Sequence, residues 1–79
     1  MTIRVRLFAV LRELADAGEV QAVGRTVGEI VDAVCEGRGE RFAAIVGVSS
    51  FVVNGERAGR ERPVAEGDEL AILPPVSGG

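Results

Sequence analysis

Seventy-nine residues, 47% of them apolar, are enough for one hydrophobic core, near the lower size limit for a domain without disulfide or metal staples. There is no His, Tyr, Trp or Lys, and all nine cations are Arg, so the commonest general acid–base group and the amine nucleophile are both missing. The twelve acids are scattered without a paired set, which makes the chain a poor candidate for a self-contained enzyme.

A net charge of −3 and only three Phe lack the basic, stacking surface that nucleic acid needs. The single Cys forms no internal disulfide, and no segment reads as a leader or membrane span. The expected compartment is the cytoplasm, with neither nucleic acid nor membrane as partner.

The opening TIRVRLF alternates, with Ile3, Val5 and Leu7 on one face and Arg4, Arg6 and Phe8 on the other. Period two predicts a half-buried strand. AVLRELADAG then spaces Val10, Leu11 and Leu14 at helical intervals and predicts a short helical segment that stops near Gly18. EVQAV (19–23) reads as a second strand, antiparallel to the first.

RTVGEIVDAVCEG carries the clearest local signal. Thr26 and Glu29 have capping-box spacing, and Val27, Ile30, Val31, Val34 and Cys35 form one apolar stripe that ends at Gly37. Residues 38–47 add a short helical turn around Phe42, Ile45 and Val46. SFVVNGER runs a strand into Asn54-Gly55, a strong hairpin signal, and Gly59 and Pro63 keep the return strand brief. AEGD (65–68) is a turn, and ELAIL (69–73) is a last strand with Leu70 and Ile72 facing in. The pattern predicts an α+β roll in which one main helix packs across a mixed sheet of four to five strands.

Pro74 and Pro75 end that strand, since neither donates to a ladder. Beyond them lie Val76, Ser77, Gly78 and Gly79. A Gly-Gly ending is a frayed terminus, a cloning remnant, or a working arm slim enough for a channel that a Cβ would block. In the last case the carboxylate of Gly79 is the reactive group.

The ending has company. LFAVLRELA (7–15), VNGE (53–56) and EGDELAILPPVSGG (66–79), with the capped helix between them, resemble the molybdopterin synthase small-subunit (MoaD) family of ubiquitin-like β-grasp sulfur carriers. The resemblance spans essentially the whole chain and is weakest over 38–50. It implies one β-grasp domain over 1–79 with a flexible tail over 74–79. It also implies that an ATP-dependent adenylating and sulfur-transferring enzyme activates the Gly79 carboxylate and converts it to a thiocarboxylate. Gly78 lies next to that site. The domain itself binds no cofactor and no metal; ATP belongs to the activating enzyme.

The further partner implied is the large synthase subunit, which takes the tail in. Sulfur then passes to cyclic pyranopterin monophosphate within a heterotetramer of two large and two small subunits. In a β-grasp sheet the first and last strands are neighbours, so Phe8 and Leu73 form an apolar docking patch at the tail's base, unless segment 9–18 covers them. Pro74, Pro75, Val76 and Ser77 enter the partner's channel. Arg12 is either an ionic docking contact or a solvated arginine. Cys35 reads as a helix-stripe residue, not a reactive thiol. The rival readings are a carrier for thiamine thiazole, cysteine or tRNA thiolation, a ubiquitin-like modifier, and a plain interaction module with an inert tail.

Overall fold

The computed structural model describes residues 1–75; Val76, Ser77, Gly78 and Gly79 lie outside the described residues. Chain order is β1 (Thr2–Leu7), α1 (Ala9–Ala15), β2 (Glu19–Val23), α2 (Val27–Cys35), α3 (Glu40–Gly47), β3 (Ser50–Val53), β4 (Glu56–Ala58) and β5 (Glu69–Leu73). The sheet order is β2-β1-β5-β3-β4. Among the described residues only β1 and β5 pair in parallel, with Val5 opposite Leu70 and Leu7 opposite Ile72. The other three pairings are antiparallel. This is the α+β roll on a mixed sheet that the pattern predicts, and the β-grasp arrangement that the resemblance implies.

Alternation along the strands fills one face of the sheet. Ile3, Val5, Leu7, Ala22, Val53, Leu70 and Ile72 are buried there, against Val27, Ile30, Val31 and Val34 of α2. Each buried aliphatic side chain of this size contributes about 1.5–3 kcal/mol. Leu11 of α1, and Phe42 and Val46 of α3, close the core at its sides. Among the described residues the opposite sheet face carries no helix.

The α2 stripe is buried as far as Val34, with Cys35 at its half-buried edge. The Glu29 N–H donates to Thr26 Oγ1 at 3.2 Å. The Glu29 carboxylate reaches one residue past the cap and accepts the Arg25 N–H at 2.9 Å. Two more donors of this first turn find partners that sequence reading could not supply. The N–H groups of Val27 and Gly28 donate to the carbonyls of Arg62 and Arg60, at 2.9 and 2.8 Å. Segment 59–64 therefore straps the start of α2, and Arg60 fixes it with a two-pronged bond to Asp32 at 2.9 and 3.0 Å.

Two helical expectations need correction. The first helix stops at Ala15, short of Gly18, because Asp16 adopts a left-handed conformation, with φ 54°, and turns its N–H back to Arg12 and Glu13. Of its three apolar positions only Leu11 is buried, and Leu14 is exposed. Within residues 38–47, expected to give a short helical turn, Glu40–Gly47 instead form the eight-residue α3. Burial of Phe42 and Val46, four residues apart on one face, stabilises a helix that local propensity leaves marginal.

Candidate functional site

The parallel pairing of β1 and β5 builds the base of the tail. Both strands run the same way, so Phe8 and Leu73 follow the last registered pair, Leu7 and Ile72, at one end of the open face. Leu73 is 36% exposed. Pro74 is half-buried and Pro75 exposed, so the chain leaves the sheet there. Phe8 is half-buried, with the Arg6 guanidinium 5.6 Å from its ring centroid. That geometry suits a cation–π contact.

Arg12 belongs to the same end. The Leu7 N–H donates to the Gly18 carbonyl at 3.0 Å, and a Cβ placed on Gly18 would lie 3.4 Å from Arg12 Nε. The side chain therefore covers Gly18, beside the last core residue of β1. It makes no ion pair among the described residues. The structure thus brings Phe8, Arg12, Leu73, Pro74 and Pro75 to one end of the sheet. Val76, Ser77, Gly78 and Gly79 fall outside the described residues.

Register across the open face adds residues to which sequence reading gave no role. Arg6, Ala71, Val52 and Arg57 stand in one row across β1, β5, β3 and β4. The next row toward the tail holds Leu73 opposite Ser50, with Phe8 beside them. Alternation along β1 and β3 puts Arg6 and Val52 on the outer face. Strand order, which no local pattern reveals, puts them in one row with Ala71 between them.

At the opposite end of β5, two turns lock together. Asn54 and Gly55 have φ values of 49° and 86°, the two left-handed positions of a tight hairpin turn. Asn54 Nδ2 donates to Asp68 Oδ1 at 2.9 Å, and Asn54 Oδ1 accepts the Glu69 N–H at 3.0 Å. Asp68 Oδ2 accepts the Ala65 N–H at 2.8 Å. These bonds, that from Ala65 foremost and that from Asn54 next, hold the Asp68 carboxyl below its usual range. VNGE and EGDE, distant in sequence, are one hydrogen-bonded unit that sets where β5 begins and hence where the tail departs.

Cys35 lies on the helix side of the sheet, in a cleft with Val31, Val46, Phe51 and Arg60. Burial first, and Asp32 second, push its thiol up; Arg38 and Arg60 oppose them. A protonated, half-buried thiol is a weak nucleophile. Among the described residues no group of three His, Cys, Asp or Glu is placed to hold a metal. No helix there is long and apolar enough to cross a membrane.

The ThiS family pattern matches residues 5–79. The chain belongs to the ThiS family. No curated protein sequence matches it. Among solved structures, SAMP1 from Haloferax volcanii is 33% identical, with 100% of both chains covered and a TM-score of 0.83. A chain of the Amycolatopsis orientalis BexX/CysO complex is also 33% identical, over 98% of this chain and 99% of that one, with a TM-score of 0.80. A putative molybdopterin converting factor subunit 1 from Pyrococcus furiosus is 23% identical, over 96% of this chain and 99% of that one, with a TM-score of 0.81. At that identity the likeness is one of fold. The ThiS-family sheet, its open face and its exit at Pro74 frame the functional reading.

Proposed function

We propose that this ThiS-family chain carries sulfur on the carboxylate of Gly79 and is the small, sulfur-donating subunit of molybdopterin synthase. The observation that carries the reading is the exit of β5 at Leu73-Pro74-Pro75, beside Phe8 at one end of the open sheet face, followed in sequence by VSGG. A carboxylate is a poor electrophile. Adenylation by an ATP-dependent enzyme releases pyrophosphate and makes a mixed anhydride, from which hydrosulfide displaces AMP to leave a thiocarboxylate; a persulfide donor would first give an acyl disulfide, which a thiol then reduces to the thiocarboxylate with formation of a disulfide. Basic groups, nucleotide site and pterin pocket then belong to partners, in keeping with a chain that lacks His, Lys and Tyr.

Phe8 and Leu73 supply the apolar contact with the large subunit, and Arg12 adds a charged one. Pro74 and Pro75 restrict the chain where it leaves the sheet. Val76, Ser77 and Gly78 thread a channel that would exclude larger side chains. Sulfur passes from Gly79 to cyclic pyranopterin monophosphate.

A single-turnover reaction tests the assignment. The chain is prepared as its Gly79 thiocarboxylate and mixed with the large synthase subunit and cyclic pyranopterin monophosphate. Sulfur loss in the intact mass, with formation of dithiolene-bearing pterin, is the expected result. Survival of the thiocarboxylate beside an active large subunit would contradict it.

A second reading has its own support. The 33%-identical structures are a small archaeal modifier protein and a chain of the BexX/CysO complex, so protein modification or delivery of sulfur to another acceptor uses the same tail. Without a lysine, the chain offers no side-chain amine for polymers of itself. A Gly79 amide on a foreign lysine, found by mass spectrometry, would mark the modifier role.

A further inference from the structure

Asn54 and Gly55 form the tip of the β3–β4 hairpin, with left-handed φ values of 49° and 86°. Asn54 is the chain's only asparagine, and it is exposed. A tight hairpin turn accepts Asp-Gly as well as Asn-Gly, so the turn alone does not explain the amide. Asp68 does. Asn54 Nδ2 donates to Asp68 Oδ1 at 2.9 Å, while Asn54 Oδ1 accepts the Glu69 N–H at 3.0 Å. An acid at position 54 would keep the second bond and set carboxylate against carboxylate in place of the first.

An Asn-Gly pair also carries a reaction of its own. The glycine backbone nitrogen attacks the asparagine Cγ, the Cγ–Nδ2 bond breaks, and ammonia leaves with the proton of that nitrogen. Water then opens the succinimide at either carbonyl, giving aspartate or isoaspartate. The sum is amide plus water to acid plus ammonia. Glycine has no Cβ to hinder the attack, and the Gly55 N–H donates to no backbone carbonyl among the described residues. The nucleophile is free. The restraint lies on the electrophile, whose two polar atoms are tied to Asp68 and Glu69.

We propose that Asn54 is a modification site gated by Asp68: it deamidates when the lock between the two turns opens, and the carboxylate formed then keeps the lock open. Both products lack the Nδ2 donor. The new charge faces Asp68, whose second oxygen already accepts the Ala65 N–H at 2.8 Å. Of the charged groups around the pair, Arg62 is engaged by Glu56 at 3.3 Å and Glu69 by Arg4 at 3.7 Å. Glu66, in the same turn as Asp68, accepts the Thr2 N–H at 3.2 Å. A local opening thus becomes permanent, and β5 loses part of the anchor at its start. This inference goes beyond the carrier reading and does not depend on it.

The test follows the full chain at mildly alkaline pH by intact mass and isoaspartate detection, beside an unfolded peptide that carries VNGE. Folded wild type should convert about tenfold more slowly than the peptide, the scale of two hydrogen bonds broken before attack. Asp68→Ala should recover most of that difference. Thr26→Ala, which weakens the fold away from the lock, should stay at the wild-type rate. Asn54→Asp stands for the product. Its urea midpoint should fall below that of wild type at neutral pH and approach it in acid, where the two carboxylates share a proton. Asn54→Asp/Asp68→Asn should restore the midpoint, because the exchanged pair again donates across the turns and still accepts the Ala65 and Glu69 N–H groups.

Wild type converting at the peptide rate while folded, or Asp68→Ala no faster than wild type, would overturn the gate. Thr26→Ala as fast as Asp68→Ala would trace conversion to global unfolding and overturn it too. An Asn54→Asp midpoint equal to wild type at neutral pH, or no restoration by the exchange, would show that the product does not hold the lock open. Circular dichroism melts verify that the variants fold. If Asp68→Ala does not, the peptide comparison and the exchanged pair decide the matter.

Discussion

Thr26 and Asp68 are small polar residues whose hydrogen bonds fix larger elements. Thr26 accepts the Glu29 N–H at the start of the helix that covers the core. Thr26→Ala should cost about 1 kcal/mol, read as a lower urea midpoint with an unchanged slope; an unchanged midpoint would contradict the cap. Asp68 is held below the usual carboxylate range by the Ala65 N–H and by Asn54. A depressed carboxyl contributes stability above its unfolded value, near pH ~3.9, and loses it as pH falls through the lower folded value. The stability gap between wild type and Asp68→Asn should thus be open at neutral pH and close in acid. A gap independent of pH would show that the charge is irrelevant there. The capping pair was legible from the spacing of Thr26 and Glu29. The partnership of Asn54 with Asp68 was not, because fourteen residues separate two turns that each look locally complete.

The elements divide along the same line. β1 and β5 were legible from strict alternation, and α2 from its stripe of Val27, Ile30, Val31 and Val34. α3 was under-read because Gly37 and Gly39 precede it and its two buried anchors, Phe42 and Val46, define barely one turn. Tertiary burial decides it, so Phe42→Ala should cost about 3–5 kcal/mol in chemical denaturation. A loss below about 1 kcal/mol, the scale of a propensity change alone, would mean that α3 does not close the core. The junction of β2 and α2 is equally tight. A Cβ on Gly24 would lie 2.9 Å from Glu29 Cβ and 3.1 Å from the Ile30 nitrogen, a distance that forces backbone movement. Gly24→Ala is therefore expected to destabilise by about 1–3 kcal/mol, measured by urea titration; neutrality would show that the junction yields easily.

At the scale of the molecule, the core and the proposed reactive terminus belong to different parts of the chain. The core lies on the helix side of the sheet, the Asn54–Asp68 lock at one end of β5, and the exit of the tail at the other. Phe8 and Leu73 were legible as neighbours only once the family resemblance put the first and last strands together. Arg6 and Arg57 needed the full strand order. This layout leaves Gly79 as the chain's proposed reactive group, with every catalytic function assigned to partners. The most direct test is intact-mass analysis after incubation with the adenylating enzyme, ATP and a sulfur donor. Exchange of one carboxylate oxygen for sulfur, located at Gly79 by fragmentation and absent when Gly79 is deleted, is the expected result. No change in mass with an active enzyme, or a sulfur adduct on Cys35 in its place, would contradict the account.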